Sequence, residues 1–463
     1  MKKKFAILSL GLFTLAAFVS FFNFQNWANI PSPAPEILWW LFTFCVSGYA
    51  FYRRSLTTWI LVSMVIGIQL GFQFKEFALE LHVLSKIFLK LIKTIIGPIL
   101  FATLVVGIAG HSNLKQLGRM GWKSLVYFEI VTTLALIIGL IAINISKAGE
   151  GIILPEGYHQ ELPPVKAMTW QDHVLEIFPE NIAKAVAEGQ VLPIVVFSII
   201  FGVALAMLSE AKRRPMLQFS ESLAETMFKF TNIIMYFAPF GVGAAIAHAT
   251  AELGMPILLA LVRLLLTLYV SLTVFVVVVF GLVMYFFKIP FKTFFKAIRE
   301  PVSIAFATTS SESALPKAME HMERIGVPRK IVAFVLPTGY TFNLDGTTLY
   351  LSLASIFVAQ AAGIDLSIGE QIMIGLTLML TSKGVAGVPR ASLVILTGAA
   401  ATFNLPLWPI MAILGIDELM DMARTSVNVT GNCLASCVIA RWEGELDDTK
   451  LLAGFEQEPQ NQP

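Results

Sequence analysis

Long apolar runs, separated by short charged or Pro/Gly-containing stretches, recur along the whole chain. About 18 or more apolar residues in a row are enough to cross a hydrocarbon core of roughly 30 Å as a helix. Eight runs have the pattern of ordinary hydrophobic helices: 5–24, 36–52, 57–74, 86–110, 124–146, 191–209, 225–250 and 256–287. The segment 292–441 differs, because polar clusters and glycines interrupt its apolar sequence. The pattern predicts an all-α polytopic membrane protein.

The first apolar run has two interpretations. Three lysines precede it, as in the basic n-region of a cleavable signal peptide. Its length and the aromatic FFNFQNW that follows, without a small-residue cleavage site, favour a retained helix.

The first polar cluster lies between apolar IAFA and ALP. It consists of Thr308, Thr309, Ser310, Ser311, Glu312 and Ser313. Basic residues stand on both sides of it, so both ends are predicted to be cytoplasmic, which describes a re-entrant hairpin with a hydroxyl-rich tip. Irregular backbone at membrane depth survives only inside protein or beside water. The alternative is a packed helix in which Ser and Thr bond back to the main chain.

The second cluster is GYTFNLDGTTLY, which has long apolar flanks on both sides. NLDGT carries turn chemistry inside an otherwise helical span. An unwound turn frees main-chain carbonyls, and with the oxygens of Asn343 and Asp345 these would make a site for a hard cation, sodium included. A structural kink alone is the other interpretation.

The third cluster is SKGVAGVPR, residues 382–390, in the middle of the apolar stretch 368–402. Two glycines and a proline predict a second hairpin tip, entered from the outside, that acts as a mobile gate. Lys383 and Arg390 keep a plain extracellular loop open as an alternative.

The last cluster repeats at intervals of four, three, four and four along one predicted helix. Its members are Asp417, Asp421, Arg424, Asn428 and Asn432. At about 100° per residue they form one stripe roughly 80° wide. An intramembrane charge costs at least roughly 2.5 kcal/mol, so Asp421 and Arg424 should face a partner or a wet site. They could pair with each other, or an amino-acid ligand could complement both, its carboxylate on Arg424 and its ammonium on Asp421.

Composition and charge narrow the function further. Residues of the hydrophobic set make up 56% of the chain and DEKR only 14%, against roughly 25% charged residues in a soluble domain. The net charge of +2 gives no basic excess that would indicate nucleic acid. The three cysteines form neither a disulfide framework nor a zinc site, and no cofactor is expected.

The basic residues predict the orientation, since cytoplasmic ends collect Lys and Arg. Alternating the spans from a cytoplasmic N-terminus places these groups inside: Lys2 to Lys4, Arg53 and Arg54, Lys115, Arg119 and Lys123, Lys212 to Arg214, and Lys288 to Arg299. The acidic segment 147–190 falls outside. Both termini are predicted to be cytoplasmic.

Four motifs resemble those of the glutamate/aspartate:cation symporter family, also called dicarboxylate/amino acid:cation symporters, in its bacterial proton/sodium-glutamate branch. They are SSESALP, NLDGTTLY, SKGVAGVPRAS and MDMARTSVNVTGN, which look like the family's first hairpin tip, interrupted seventh helix, second hairpin tip and eighth helix. The resemblance runs from about Thr57 to Glu445. It implies eight helices and two re-entrant hairpins in a homotrimer that carries substrate by an elevator motion.

The resemblance also implies a division of the chain. Residues 1–56 would be two extra N-terminal segments, 57–445 the symporter unit and 446–463 a cytoplasmic tail. The fixed scaffold would be mainly 57–110 and 191–250, and the transport domain mainly 117–146 and 256–441. The protein would be a multi-pass protein of a bacterial inner or plasma membrane, with the lipid bilayer and an acidic amino acid as its other partners.

The family's site residues are carried over by motif. Arg424 would bind the distal carboxylate of glutamate or aspartate and Asp421 its amino group. Asn428 and Thr347 would bind the main-chain carboxylate, with Thr425 nearby, and the backbone at Ser311 and Val388 would close the gates. The cation ligands would be Asn343, Asp345, Asn432 and the carbonyls of Gly339 and Asn428. Asp421 favours amino acids, because the dicarboxylate branch lacks an acid there.

Departures from the family pattern bear on the coupling ion, H⁺ and/or Na⁺. Asn432 stands where sodium-coupled members have an aspartate, and Lys383 could replace a cation with its ammonium. Phe128 and Val131 lack hydroxyls associated with a third sodium site. The sequence therefore predicts proton coupling, with Glu312 as the first candidate carrier and Glu129 as the second, because a carboxylate that is alternately wet and desolvated can bind and release a proton.

Three other functions are open to the same sequence. A C4-dicarboxylate symporter is the nearest alternative. A membrane-embedded hydrolase would use Ser310 or Ser311, but no histidine is placed to activate either serine, so an enzyme is not expected. A channel would also need polar residues at membrane depth.

Overall fold

In the computed structural model, the described residues are 2–24, 33–110, 114–152, 175, 178–188, 191–383, 391–403 and 405–453, and every regular element within them is helical. The first helices are α1 (Lys2–Phe24), α2 (Pro33–Arg53), α3 (Leu56–Gln73), α4 (Lys75–Glu80), α5 (His82–Ala109), α6 (Leu114–Ser146), α7 (Ile182–Glu188) and α8 (Val191–Ala206). Next come α9 (Glu210–Met235), α10 (Ala238–Val274), a π-helix (Phe275–Phe280), α11 (Gly281–Phe286), α12 (Phe291–Thr308) and α13 (Ser311–Arg324). The last are α14 (Arg329–Phe342), α15 (Asp345–Ala361), α16 (Ile368–Ser382), α17 (Ala391–Thr402), α18 (Trp408–Leu414), α19 (Asp417–Glu443) and α20 (Asp448–Ala453). The predicted all-α class is confirmed for these residues.

Four helical stretches in the described part of the chain are long and apolar enough to cross a membrane. They are Leu56–Gln73, Lys75–Ala109, Arg119–Ser146 and Ala238–Phe286. The last of these includes a break at Gly254, whose φ of 64° lies outside the helical region and is easy only for glycine. Pro256 follows, and it cannot donate the main-chain hydrogen bond of a helix interior. The break and the proline divide this stretch into two helical segments.

The predicted single span 225–250 is wrong in its limits. The helix α9 begins at Glu210 and ends at Met235, and α10 starts only at Ala238 after a turn. The apolar run missed this turn because hydrophobicity is continuous through Tyr236 and Phe237 while the backbone is not.

The polar cluster 308–313 forms the turn of a helix–turn–helix. The helices α12 and α13 pack against each other, and Thr309 between them has left-handed backbone angles (φ 52°, ψ 27°). Ser310 caps α13, since its side chain accepts a hydrogen bond from the Ser313 amide at 3.3 Å. The hairpin prediction is confirmed as a shape, and a continuous helix is excluded.

The interruption predicted at NLDGT is also present. The helix α14 ends at Phe342, Asn343 and Leu344 have non-helical angles, and α15 begins at Asp345. The arms of the second hairpin are α16 and α17, which pack together. Its predicted tip, 384–390 with Val388 and Arg390, lies outside the described residues, as does most of the acidic segment 147–190.

Two sets of helices make most of the packing. In the first, α3 packs on α10 and α5 packs on α8 and α9. In the second, α12, α13, α14 and α15 surround α19, and α6 packs on α15. The helix α19 is the centre of the second set, and nearly all of its residues from Asp417 to Ala440 are buried.

Residues that the charge pattern predicts to be cytoplasmic meet at one end of the bundle. Arg119 and Lys123 of α6 both bind Glu443, and Lys330 binds Glu445 at 2.7 Å. Arg441 pairs with Asp448 at 2.7 Å, and this hydrogen bond lowers the pKa of the Asp448 carboxyl. The predicted inside ends of three helices therefore lie on the same side.

Candidate functional site

The stripe predicted on α19 is buried and internally bonded. The Arg424 side chain is the largest that is almost completely enclosed, with 1% of the residue exposed. Its Nε donates to Asp421 Oδ1 at 2.9 Å, and its Nη1 donates to Asp417 Oδ1 at 2.9 Å. Its Nη2 reaches Asp417 Oδ2 at 3.4 Å. The prediction that Asp421 and Arg424 could pair with each other is confirmed, and Asp417 joins them.

The guanidinium of Arg424 also lies over the face of an aromatic ring. The carbon Cζ of Arg424 lies 4.3 Å from the ring centroid of Tyr350 in α15. A guanidinium over an aromatic face is attracted by the ring quadrupole, more so when both are out of water. Arginine carries five N–H donors, and the three bonds to Asp417 and Asp421 use three of them. Two N–H donors are left to receive an acceptor from a ligand.

Asn428 joins α19 to the broken helix. Its Oδ1 accepts from the amides of Gly346 (2.8 Å) and Thr347 (3.3 Å), and its Nδ2 donates to Thr347 Oγ1 at 2.9 Å. These amides belong to the first turn of α15, where helical N–H groups have no partner in their own helix. The structure brings together Asn428 and Thr347, the two residues predicted to share one substrate carboxylate.

A glycine makes this contact geometrically possible. A Cβ on Gly346 would stand 2.3 Å from the carbonyl oxygen of Arg424. The start of α15 can therefore lie against the charged stripe only without a side chain at this position.

A second polar cluster lies beside the first, at the unwound turn. Asn343 Nδ2 lies 3.3 Å from Asp345 Oδ2 and 3.2 Å from Asn432 Oδ1, and all three residues are fully buried. One oxygen of Asn343 and one of Asp345 have no hydrogen-bond partner among the described residues, and neither has Thr348 Oγ1. Buried oxygens are rarely left without a partner. The site has the donor set of a small hard cation.

The carbonyl predicted at Gly339 faces the same turn, where it accepts from the Asn343 amide at 2.7 Å. Gly339 also touches Asn432, because a Cβ there would stand 2.2 Å from Asn432 Oδ1. Within the described part of the chain, no three His, Cys, Asp or Glu side chains gather as they would around a transition metal.

An ammonium group stands at the edge of this turn. Lys383, at the end of α16, donates to the carbonyl of Phe342 at 2.9 Å and pairs with Glu129 of α6 at 2.8 Å. The lysine side chain is 8% exposed and that of Glu129 47%. Lys383 also interacts electrostatically with Asp345. The residue predicted to replace a cation therefore contacts the unwound turn and one of the two predicted proton carriers.

The tip of the first hairpin borders a polar cavity of about 560 Å³. The lining includes Glu312, Ser310 and Ser313 from the tip, Thr57 from α3 and Glu418 from α19. Glu418 is 2% exposed and interacts electrostatically with Asp421. Ser311, predicted to close a gate, is a buried neighbour of this lining.

Several contributors to the site were missed from sequence. Asp417 was seen as part of the stripe but not as a partner of Arg424, although a spacing of seven residues puts the two on one helix face. Glu418 is one position off the stripe, and Tyr350 comes from another helix. Local sequence patterns do not predict a contact between helices so distant in sequence. The contact of Tyr350 with Arg424 therefore could not be predicted.

The sequence is similar to those of known transport proteins. A sequence model of the sodium:dicarboxylate symporter family matches residues 56–442. The proton/sodium-glutamate symport protein of Geobacillus stearothermophilus is 42% identical over 401 residues, which cover 84% of this chain and 95% of that protein. The proton/glutamate-aspartate symporter of Escherichia coli (strain K12) is 42% identical over 423 residues, 88% and 97% of the two chains. A C4-dicarboxylate transport protein of Bacillus subtilis (strain 168) is 36% identical over 409 residues, 87% and 97% of the two.

Proposed function

The chain belongs to the sodium:dicarboxylate symporter family, and we propose that it is a secondary active symporter of L-glutamate and L-aspartate driven by a proton and/or sodium gradient. The observation that carries this proposal is the Arg424 guanidinium, buried between Asp417, Asp421 and Tyr350 with two donors to spare. Names of relatives support it, since those with 42% identity are called glutamate or glutamate-aspartate symporters.

Each end of an acidic amino acid has a complementary group at this site. The spare donors of Arg424 would bind the distal carboxylate, and Asp421 would accept from the ammonium group while keeping its bond to Arg424. Thr425 supports Asp421, because its Oγ1 donates to Asp421 Oδ1 at 2.9 Å. Asn428 and Thr347, already in contact, would turn their amide and hydroxyl to the main-chain carboxylate. The backbone at Ser311 and Val388 would close the two gates.

Charge balance explains why such a site would need a co-transported cation. Asp417 and Asp421 together outnumber Arg424 by one negative charge, and Asp345 adds another beside them. A glutamate or aspartate zwitterion brings a further net negative charge. Uncompensated charge is costly at membrane depth, so substrate binding is favoured when a proton or a monovalent cation binds with it.

The proposed sodium site is the unwound turn. Asn343, Asp345, Asn432 and the carbonyls of Gly339 and Asn428 would be its ligands, and the oxygens of Asn343 and Asp345 that lack partners support it. Sodium enters here as cargo, and no resident cofactor is proposed.

Lys383 favours the proton as the coupling ion. Its side-chain nitrogen donates to the carbonyl of Phe342, next to the turn where sodium would bind. The positive charges of a lysine ammonium and a neighbouring sodium ion repel each other, and this repulsion should weaken sodium binding. The proposed proton carriers are Glu312, which borders the polar cavity, and Glu129, which is bound to Lys383.

We further propose that three copies form an elevator in a bacterial inner or plasma membrane, with both termini in the cytoplasm. The scaffold would contain α3, α5, α8, α9 and the first half of α10, and the transport domain α6 and the helices around α19. The two packing sets support this division, because α19 and its neighbours have most of their contacts with each other.

Uptake of labelled glutamate by proteoliposomes with imposed gradients tests the proposal. Accumulation driven by an inward pH gradient at equal sodium on both sides supports proton coupling. Full activity from a sodium gradient alone, with none from a pH gradient, would contradict it. Lys383→Met should increase the response to sodium, and Lys330→Met, which removes an exposed ion pair with Glu445, is the matched control.

A C4-dicarboxylate symporter is the second candidate, because relatives with that name match 87% of this chain at 36% identity. Succinate has no ammonium group for Asp421. Competition of unlabelled succinate and aspartate against labelled aspartate distinguishes the two functions. Equal potency of the two competitors would favour the dicarboxylate symporter.

A further inference from the structure

The helix α3 carries two glutamines on one side near its end, Gln69 and Gln73. It is one of the four helical stretches able to cross a membrane, and it has the lowest mean hydropathy of them. A glutamine side chain that faces hydrocarbon leaves its amide without hydrogen bonds, which is expensive where water is absent. Gln69, one turn inside the end of α3, therefore needs a hydrogen-bond partner, and Gln73, the last residue of α3, lies on the same side.

Both glutamines form side-chain hydrogen bonds with residues of α2. Gln69 Nε2 donates to Thr43 Oγ1 at 2.5 Å and to the carbonyl of Trp39 at 3.0 Å. Gln73 Oε1 accepts from the indole N–H of Trp40 at 2.6 Å. Gln69 is 6% exposed and Thr43 is 3% exposed, so their contact is shielded from solvent.

The helices α2 and α3 are in contact near both ends of α3. At the opposite end from Gln73, the rings of Phe51 and Trp59 meet edge to face with 4.8 Å between their centroids. The helix α1 packs on α2, and Trp39 of α2 donates to Ser20 Oγ of α1 at 3.0 Å. We call the two packed helices α1 and α2 the N-terminal hairpin, and α2 is the one that lies on α3.

The other side of α3 is already occupied. Gly67 and Gly71 bring it so close to α10 that a Cβ on either would stand within 2.7 Å of a main-chain carbonyl oxygen. The match to the family begins at residue 56, the first residue of α3, so the hairpin is an addition outside the matched region.

We propose that the N-terminal hairpin of α1 and α2 is the fixed partner of the glutamine side of α3. Its helix α2 accepts hydrogen bonds from the amide nitrogen of Gln69 and donates one to the amide oxygen of Gln73, and these bonds stabilise α3. Because its contacts are with α3, it stays with α3 and does not move with the helices around α19. This inference stands without the proposed substrate.

A double-mutant cycle in the full chain tests the hydrogen bonds. Trp40→Phe leaves Gln73 without its donor, and Gln73→Leu leaves the indole without its acceptor. Each single variant should lower the midpoint of thermal unfolding in detergent by a few degrees. The double variant should recover more than half of the loss caused by Trp40→Phe, because no polar group is left unpaired.

The control variant replaces Trp59 of α3, whose ring packs against Phe51 of α2. Trp59→Phe should lower stability independently of Gln73→Leu, so the two losses should add. Additive losses for Trp40→Phe and Gln73→Leu, or a higher midpoint for Gln73→Leu alone, would overturn the proposal.

A cross-link tests whether the hairpin stays on α3. In the full chain with Cys45, Cys433 and Cys437 replaced by alanine, Thr43→Cys and Gln69→Cys put two thiols where the native side chains touch. Oxidation should leave the rate of glutamate uptake unchanged relative to the reduced protein. Loss of uptake on oxidation that returns on reduction would show that α2 must slide along α3. If neither the unmodified protein nor the reduced variant takes up glutamate, the proposed function is contradicted. The double-mutant cycle then still tests the contact between α2 and α3, because it measures stability alone.

Discussion

Arg424 is held in position before any substrate arrives. Two carboxylates and an aromatic ring fix the guanidinium from three directions. A buried arginine that keeps spare N–H donors is a preorganised binding group for a planar carboxylate, since little side-chain freedom is left to lose on binding. In the proposed function, the neighbouring Asp421 would distinguish an amino acid from a dicarboxylic acid of similar length.

Replacement of Asp421 should separate these two substrate classes. Asp421→Asn keeps an oxygen for Arg424 and Thr425 but removes the charge that an ammonium needs. A charge-assisted hydrogen bond contributes about 1.5–3 kcal/mol, so the apparent affinity for aspartate should fall by about 10- to 100-fold. The affinity for succinate should change much less. Inhibition of labelled aspartate uptake by each compound measures both.

The matched control for that variant is Asp417→Asn. Asp417 binds the other end of the guanidinium, so its loss should weaken both competitors together. An equal loss for aspartate and succinate in Asp421→Asn would mean that Asp421 only holds Arg424.

Glu129 and Lys383 should be coupled in stability. Glu129→Gln breaks the ion pair of the enclosed Lys383 ammonium and leaves Asp345 as its acidic neighbour, whereas the same change in a Lys383→Met background breaks no ion pair. The loss of thermal stability should therefore be larger in the first background. The difference should be below the roughly 3–5 kcal/mol of a fully buried pair, because Glu129 is half-exposed. Equal losses in both backgrounds would show that the ion pair contributes nothing.

At the scale of helices, the chain's breaks matter as much as its spans. The apolar runs predicted most helices within a few residues, and the turn chemistry of NLDGT and the hydroxyl cluster predicted two interruptions. The turn after Met235 was missed because its residues are as apolar as the helices they join. The contacts of Arg424 with Tyr350 and of Lys383 with Glu129 join distant parts of the chain, and sequence spacing contains no signal for them.

The close approach of α15 to α19 depends on one glycine. Gly346→Ala would push a methyl group against the carbonyl of Arg424, so the first turn of α15 must move away and Asn428 must lose its bonds to it. Such overpacking costs about 1–3 kcal/mol. We expect a lower unfolding midpoint and a weaker apparent affinity for aspartate.

Gly369→Ala is the control for that substitution. It lies in the first turn of α16, where only Ser367 Oγ comes within 4 Å of the added Cβ, at 3.9 Å. An alanine in a helix is favoured over glycine, so stability should be unchanged or slightly higher. If Gly346→Ala behaves like Gly369→Ala, the two helices are not held at this distance in the protein.

At the scale of the whole molecule, a cavity lies between the proposed transport domain and the proposed scaffold. The polar cavity lies between the first hairpin tip, Thr57 of α3 and Thr231 of α9, so it separates residues of the proposed transport domain from residues of the proposed scaffold. Contacts across that division must break if one part slides past the other. Contacts within each part, such as those of α2 with α3, must persist.

One contact across the division can be locked. His82 at the start of α5 lies 3.3 Å from the sulfur of Met411 in α18, measured from its Nε2. In the full chain with Cys45, Cys433 and Cys437 replaced by alanine, His82→Cys and Met411→Cys allow the two helices to be joined by a short reducible bis-thiol reagent. An elevator joined in this way can still bind aspartate from one side but cannot carry it across. Uptake should therefore be abolished by the reagent and restored by reduction, while each single cysteine variant is unaffected. Uptake at the full rate by the cross-linked protein would show that α5 and α18 do not move apart during transport, and the proposed division of the chain would have to be redrawn.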